Sequence, residues 1–461
     1  RNNMAETIII NPVTRINGFM EIEAVVGNNA VTDARTKGLM FRGFEKMLAG
    51  RSPLDAVYFT QRICGICSTA HSMAASLALE DALGIVPSEQ GRYLRDLLHA
   101  CEFLQNHLRH LYQYTLPDYV KLPEGYPLFK TDHNDYRLPK EVNTRLVNDY
   151  FESLEYSRNA HKMLAILGGK APHNHGVFIG GITSPVTVDM IIAIKSILFG
   201  IEQFITEKML PDVYEIAAYY PEYYHFGGGY GNLLTYGCFD HYKELGTLYV
   251  APYIFTNEQY SRFDPALIVQ SDEYAWFNEA DEPDRNKPDA YSWIRAPRYN
   301  GMPFEVGPLA RQWLSGEYRR GISVMDRTIA RVLEAKKITQ IMNTLLENLI
   351  PDVPMQQEYT VPEQAYGTGL IDTTRGALGH WLTIEDKKIL FYQIITPSAW
   401  NLSTQTGQRK GTAEQALLGA PVKDESMPVE IGRIIRSFDP CVSCATHVFV
   451  PGKWDKIIQV V

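Results

Sequence analysis

Gln61-Arg62-Ile63-Cys64-Gly65-Ile66-Cys67 near one end of the chain and Asp439-Pro440-Cys441-Val442-Ser443-Cys444 near the other decide how the sequence is read. Two residues between thiols let both sulfurs of a pair turn toward one ion. The pairs lie almost a full chain length apart, so sharing one metal would draw both ends of the chain into the core. That favours a single interwoven unit over 1–461 rather than separable domains. Spacing alone does not name the metal. A closed four-cysteine zinc site is the common use of such pairs, although zinc ribbons hold them only about 15 to 20 residues apart. An iron-sulfur cluster meets the same ligand count. Soft thiolates also suit nickel and iron, with an open coordination position for a small substrate. His71 and His447 follow the two pairs, and Arg62 and Asp439 precede them.

At 461 residues the chain is long enough to shield a reactive site from water, and its 45% hydrophobic and 21% charged residues describe a folded globular protein. A net charge of -9 without a long basic block argues against a nucleic-acid partner. The most apolar stretch, Val188 to Ile201, is interrupted by Asp189 and Lys195 and reads as a buried helix, so no membrane span is expected. The residues before Ile8 lack the pattern of a signal peptide, and a cytoplasmic location is the expectation. Six cysteines in so long a chain do not make a disulfide framework; Cys101 and Cys238, outside the pairs, read as structural.

Thr7 to Ile10 and Met20 to Val26 alternate as strands, with Gly27-Asn28-Asn29 as a hairpin turn. Helical periodicity runs from Leu94 to Leu111, closed by Pro117. It recurs at about Val142 to Leu167, Val188 to Leu210 with Pro211 as its stop, and Ile322 to Leu349. Residues 219–300, rich in Tyr, Gly, Pro and Asp, read as an irregular β-containing insertion with a strand near Leu248 to Phe255. The predicted class is α+β and predominantly helical: a central bundle of long helices, small peripheral sheets, and the cysteine pairs meeting in the core.

Taken whole, the sequence resembles the large subunit of nickel-iron hydrogenases. The family signatures R-x-C-G-x-C and D-P-C-x-x-C-x-x-H are both present, the second ending at His447. Pro12-Val13-Thr14-Arg15-Ile16, Phe41-Arg42-Gly43-Phe44-Glu45, Arg375-Gly376-Ala377-Leu378-Gly379-His380-Trp381 and Pro397-Ser398-Ala399-Trp400-Asn401 also match, so the resemblance covers essentially the whole chain. It implies reversible heterolytic cleavage of hydrogen. Cys64 and Cys441 would be terminal nickel ligands, while Cys67 and Cys444 would bridge nickel to an iron carrying carbon monoxide and cyanide. Arg375 would face the open position, paired with Asp439, and either Cys441 or Arg375 would take the proton. Pro397 and Ser398 would contact the iron ligands, and His71 would hydrogen-bond a sulfur. Glu45, His447 and the backbone carbonyl near Ile394 would hold magnesium. The implied partners are an iron-sulfur small subunit, further electron-transfer subunits, a maturation protease and nickel-insertion proteins.

The family's R-I-E-G-H stretch reads Arg15-Ile16-Asn17-Gly18-Phe19 here, and an amide cannot pass protons as the family's glutamate does. Asn106 stands where an aspartate is usual beside the active-site arginine, and Thr374 replaces a proline. Residues 448–461 resemble the family's C-terminal tail, which is cut away once nickel is loaded; kept, the tail would mark a nickel-free precursor or an enzyme of a line that keeps its tail. A quinone-docking subunit of similar fold is disfavoured by the four intact cysteines.

Overall fold

The computed structural model describes residues 6–123, 133–354 and 357–445, with residues 444 and 445 described as backbone only. Among them no helix is long and apolar enough to cross a membrane. The first sheet is the predicted one: Glu6–Ile10, Met20–Gly27 and Ala30–Gly38 pair antiparallel with Met20–Gly27 in the middle. Met20, Ile22, Ala24 and Val26 point into the core. The turn is carried by Asn28 and Asn29 at φ 54° and 59°, which asparagine tolerates and the twist of a hairpin favours.

Four long helices surround the main core: Glu89–Arg109, Lys140–Gly168, Val188–Phe204 and Val324–Glu347. Their starts follow local chemistry. Ser88, Thr187 and Ser323 accept amide hydrogen bonds at three N-termini, and Gly169 at φ 82° closes the Lys140–Gly168 helix. The architecture is α+β, with these helices beside several separate small sheets.

Two sequence expectations change, and two elements were not expected. Pro211 does not stop the helix that begins at Val188. A π turn at Ile205–Met209 leads directly into Leu210–Tyr219, whose first turn has no need of the proline's missing N–H. The strand expected over Leu248 to Phe255 is shorter and shifted, at Tyr253–Thr256. Helix Ser68–Leu83 and the antiparallel sheet Gln364–Thr373, Gly376–Glu385, Lys388–Ile395 had no counterpart in the reading of the sequence. These two elements pack unusually closely: a Cβ at Gly367 would lie 2.0 Å from the Ala78 carbonyl oxygen, and one at Gly369 2.1 Å from that of Ala74. Glycine permits this approach. The sheet thereby supports the helix whose N-cap residue is Cys67.

Candidate metal centre

Cys64 ends a short turn after helix Asp55–Gln61, and Cys67 is the N-cap residue of Ser68–Leu83. A thiolate at a helix N-terminus is favoured by the unpaired amides and the helix dipole. Cys441 arrives from the far end of the chain. Asn17 N donates to the Pro440 carbonyl at 3.1 Å and Val442 N to the Asn17 carbonyl at 2.7 Å, so the C-terminal segment lies parallel to the N-terminal one. Asp439, at φ 54°, turns the chain into this slot. The side chain of Ser398 accepts the Cys441 amide hydrogen at 2.9 Å.

The result is a buried sulfur cluster. Cys441 Sγ lies 3.4 Å from Cys64 Sγ and 3.7 Å from Cys67 Sγ. A disulfide needs about 2.05 Å. Two sulfurs on one metal with bonds of about 2.3 Å lie roughly 3.3 to 3.8 Å apart, so the donor set fits a shared ion. Among the described residues these three are the group of possible ligands that could hold a metal. Cys444 lies in the backbone turn Val442–Ala445; its side chain, and all of His447, lie outside the described residues. Cys101 and Cys238 are buried away from the cluster, their thiols pushed upward by burial.

A small cavity beside the sulfurs is lined by Cys67, Ala70, His71, Thr373, Arg375, Leu378, Pro397, Ser398 and Cys441. Arg375 is the cation on its wall. Burial opposes its charge, but Asp439 and then the thiols of Cys441, Cys67 and Cys64 hold the guanidinium well above the ordinary range. Asp439 is held well below the usual carboxylate range: its burial is outweighed by Arg375, His110 and Arg331. Asn106 joins the two, accepting from Arg375 Nη2 at 2.7 Å and donating to Asp439 Oδ2 at 2.8 Å.

A family model described as nickel-dependent hydrogenase matches residues 42–126, 124–321 and 314–447. The chain belongs to the nickel-dependent hydrogenase family. It is 33% identical to the periplasmic [NiFeSe] hydrogenase large subunit of Desulfomicrobium baculatum, over 96% of this chain and 95% of that protein. It is 29% identical to the hydrogenase-2 large chain of Escherichia coli (strain K12), over 96% and 98%. Among solved structures, the Ni-Fe-Se hydrogenase of D. vulgaris Hildenborough in the reduced state superposes with a TM-score of 0.93 at 35% identity, covering 96% of this chain and 100% of that one.

In this member of the family, the second layer is largely paired. His71 Nδ1 lies 3.2 Å from His380 Nε2, and His380 Nδ1 lies 2.7 Å from the Tyr392 hydroxyl. Burial lowers His71 to about 4 and drives His380 well below its ordinary value, so both rings are neutral near pH 7. Glu45 Oε1 accepts the Ile394 amide hydrogen at 2.8 Å, so two of the three residues named for magnesium lie side by side, and burial raises the Glu45 carboxyl.

Sequence reasoning assigned no role to three residues. Arg42 donates to the carbonyls of Arg62, Ile63 and, at 3.1 Å, Ser443, tying the two cysteine segments together. Glu102 accepts the Thr69 and Ala70 amides at 2.7 and 3.1 Å, and burial pushes it up to about 7. Asn17 donates its amide to Cys441 and Cys64. Arg42 stood inside a quoted family stretch; Glu102 sits four residues before Asn106 on the Glu89–Arg109 helix, a spacing that puts it on the same face.

Proposed function

We propose that this chain is the catalytic large subunit of a nickel-iron hydrogenase, interconverting dihydrogen with protons and electrons at a thiolate-bound site and passing the electrons to an iron-sulfur small subunit. One observation carries the reading. Thiols from opposite ends of the chain meet in the core at coordination spacing, in a sequence that the nickel-dependent hydrogenase model matches almost throughout.

Cys64, Cys67, Cys441 and Cys444 would hold the nickel together with an iron carrying carbon monoxide and cyanide. Bound, the metal pair supplies the Lewis-acidic, redox-active site at which dihydrogen is polarised. The chain's own residues do the rest. Arg375 stays cationic because Asp439 and the sulfurs face it, so it serves as a fixed positive charge on the cavity wall, and the sulfur of Cys441 is the better proton acceptor. Asp439 and Asn106 aim the guanidinium. Leu378, Ala70 and Pro397 keep water from the cavity. The Ser398 oxygen accepts from Cys441 N, which leaves its hydroxyl hydrogen for an iron-bound ligand. His71 orients through His380. Glu45, the Ile394 carbonyl and His447 are assigned to magnesium, whose preference is for oxygen ligands.

The chain is read as one interwoven, mainly helical unit because its cysteine segments from both ends share one cluster. Residues 448–461 are assigned as the tail that a maturation protease removes once nickel-insertion proteins have acted. Further electron-transfer subunits would follow the small subunit, and the location is cytoplasmic unless that subunit carries an export signal.

Metal analysis with infrared spectroscopy of the purified enzyme tests this. Nickel, iron and the bands of iron-bound carbon monoxide and cyanide are expected together with hydrogen-dependent dye reduction. Zinc at one equivalent with no nickel in active material would overturn it.

A further inference from the structure

Asn17 stands where the two ends of the chain touch. Its backbone forms the parallel bridge to Cys441, and the two hydrogens of its side-chain NH2 are shared among three acceptors: Cys441 Sγ at 3.0 Å, Cys64 Sγ at 3.3 Å and Ser443 Oγ at 2.7 Å. Metal-bound thiolates accept hydrogen bonds and donate none, so the amide must present its NH2 to them. A carboxylate in this place would set negative charge against both sulfurs. The amide does the opposite: each N–H···S contact draws electron density from a sulfur and weakens its donation to a metal. Arg375 acts on the same sulfurs through its charge, so the cluster is flanked by a neutral donor as well as a cation.

We propose that Asn17 is a positioning and tuning residue, whose amide donates to both terminal thiolates at once and holds Cys64 and Cys441 as electron-poor ligands. This rests on the reading of the cluster as a nickel-iron centre. The chain thereby exchanges a group that could relay protons for one that sets the electron density of the centre. Ser443 completes the device: its hydroxyl, 3.8 Å from Cys441 Sγ, anchors the amide from the C-terminal side.

Two variants remove the N–H donor while differing in polarity: Asn17→Leu and Asn17→Asp. Each is purified with its partner subunit, and its nickel and iron content, the infrared bands of iron-bound carbon monoxide and cyanide, and the midpoint potential of the centre are measured. The expected result is a shift of the bands to lower wavenumber and of the potential to more negative values in whichever variant loads both metals. Unchanged bands and potential in either metal-loaded variant would overturn the proposal. Failure of both to load metal would overturn it too, since residue 17 would then act in assembly. If the unmodified enzyme showed no such bands, the reading of the centre itself would fail, which is a separate outcome.

Discussion

The guanidinium of Arg375 holds Asp439 at two points, with Nη2 3.1 Å from the carboxylate Oδ1 and Nε donating to the backbone carbonyl at 2.9 Å. The second contact matters because Asp439 is two residues before Cys441, so the same side chain fixes the route of the segment that delivers a ligand. An ammonium cannot make both contacts at these angles. Arg375→Lys is therefore expected to lower hydrogen-dependent dye reduction by about a hundredfold or more, while nickel content stays at the unmodified level. Turnover close to that of the unmodified enzyme would exclude a role for the fork.

Gly18 makes room for the C-terminal segment. It sits at φ 93°, and a Cβ there would lie 2.4 Å from Ser443 N and 3.2 Å from Val442 Cβ. Neither the backbone conformation nor the contact tolerates a side chain. Gly18→Ala should expel the segment carrying Cys441, seen as loss of nickel and as new proteolytic cleavage near the C-terminus. Full nickel content would show that the slot yields.

The cysteine pairs, their convergence and the four long helices were legible because thiol spacing and helical periodicity are local signals. The Ser68–Leu83 helix was not. It is buried almost all round and rich in Ala and Ser, so no apolar stripe contrasts with a polar face. The Gln364–Ile395 sheet was hidden for a related reason: its glycines 367 and 369 exist for contact with that helix, and a glycine in a strand reads as an interruption. Asn17 was legible as a departure from the family, but its three acceptors come from residues 47 to 426 positions away, and no local pattern records them.

Burial alone does not distinguish ligand cysteines from structural ones here, since Cys101 and Cys238 are as buried as Cys64. Proximity does. Cys441→Ser should lose nickel, because a hydroxyl is a poor replacement for a soft thiolate. Cys101→Ala should retain it and cost only the packing of one small side chain. Metal analysis of the two proteins side by side checks the assignment; nickel retained in Cys441→Ser would sink it.

Asp118 offers a test of what joins the two ends away from the metal. Its Oδ1 lies 2.6 Å from Arg15 Nη2 and 2.7 Å from Arg436 Nη2, and Arg436 Nε reaches Oδ2 at 2.7 Å. Arg15 leads into Asn17, and Arg436 leads into Asp439, so one buried carboxylate braces both approaches to the cluster. Burial would raise its pKa, but Arg15 and Arg436 outweigh burial and hold it at about 2, below the ordinary 3.8. A depressed carboxyl contributes stability above its unfolded value and loses it as pH falls through the folded one. That contribution, about 2 kcal/mol, should be complete above pH 4 and fade toward pH 2. Asp118→Asn keeps the shape but leaves two buried guanidiniums without their counter-charge, a cost of about 3 to 5 kcal/mol at neutral pH. Urea unfolding at pH 7 should show the full gap between variant and unmodified protein, and the gap should narrow as the pH is lowered below 4. A gap of equal size across that range would mean that Asp118 acts through hydrogen-bond geometry rather than charge.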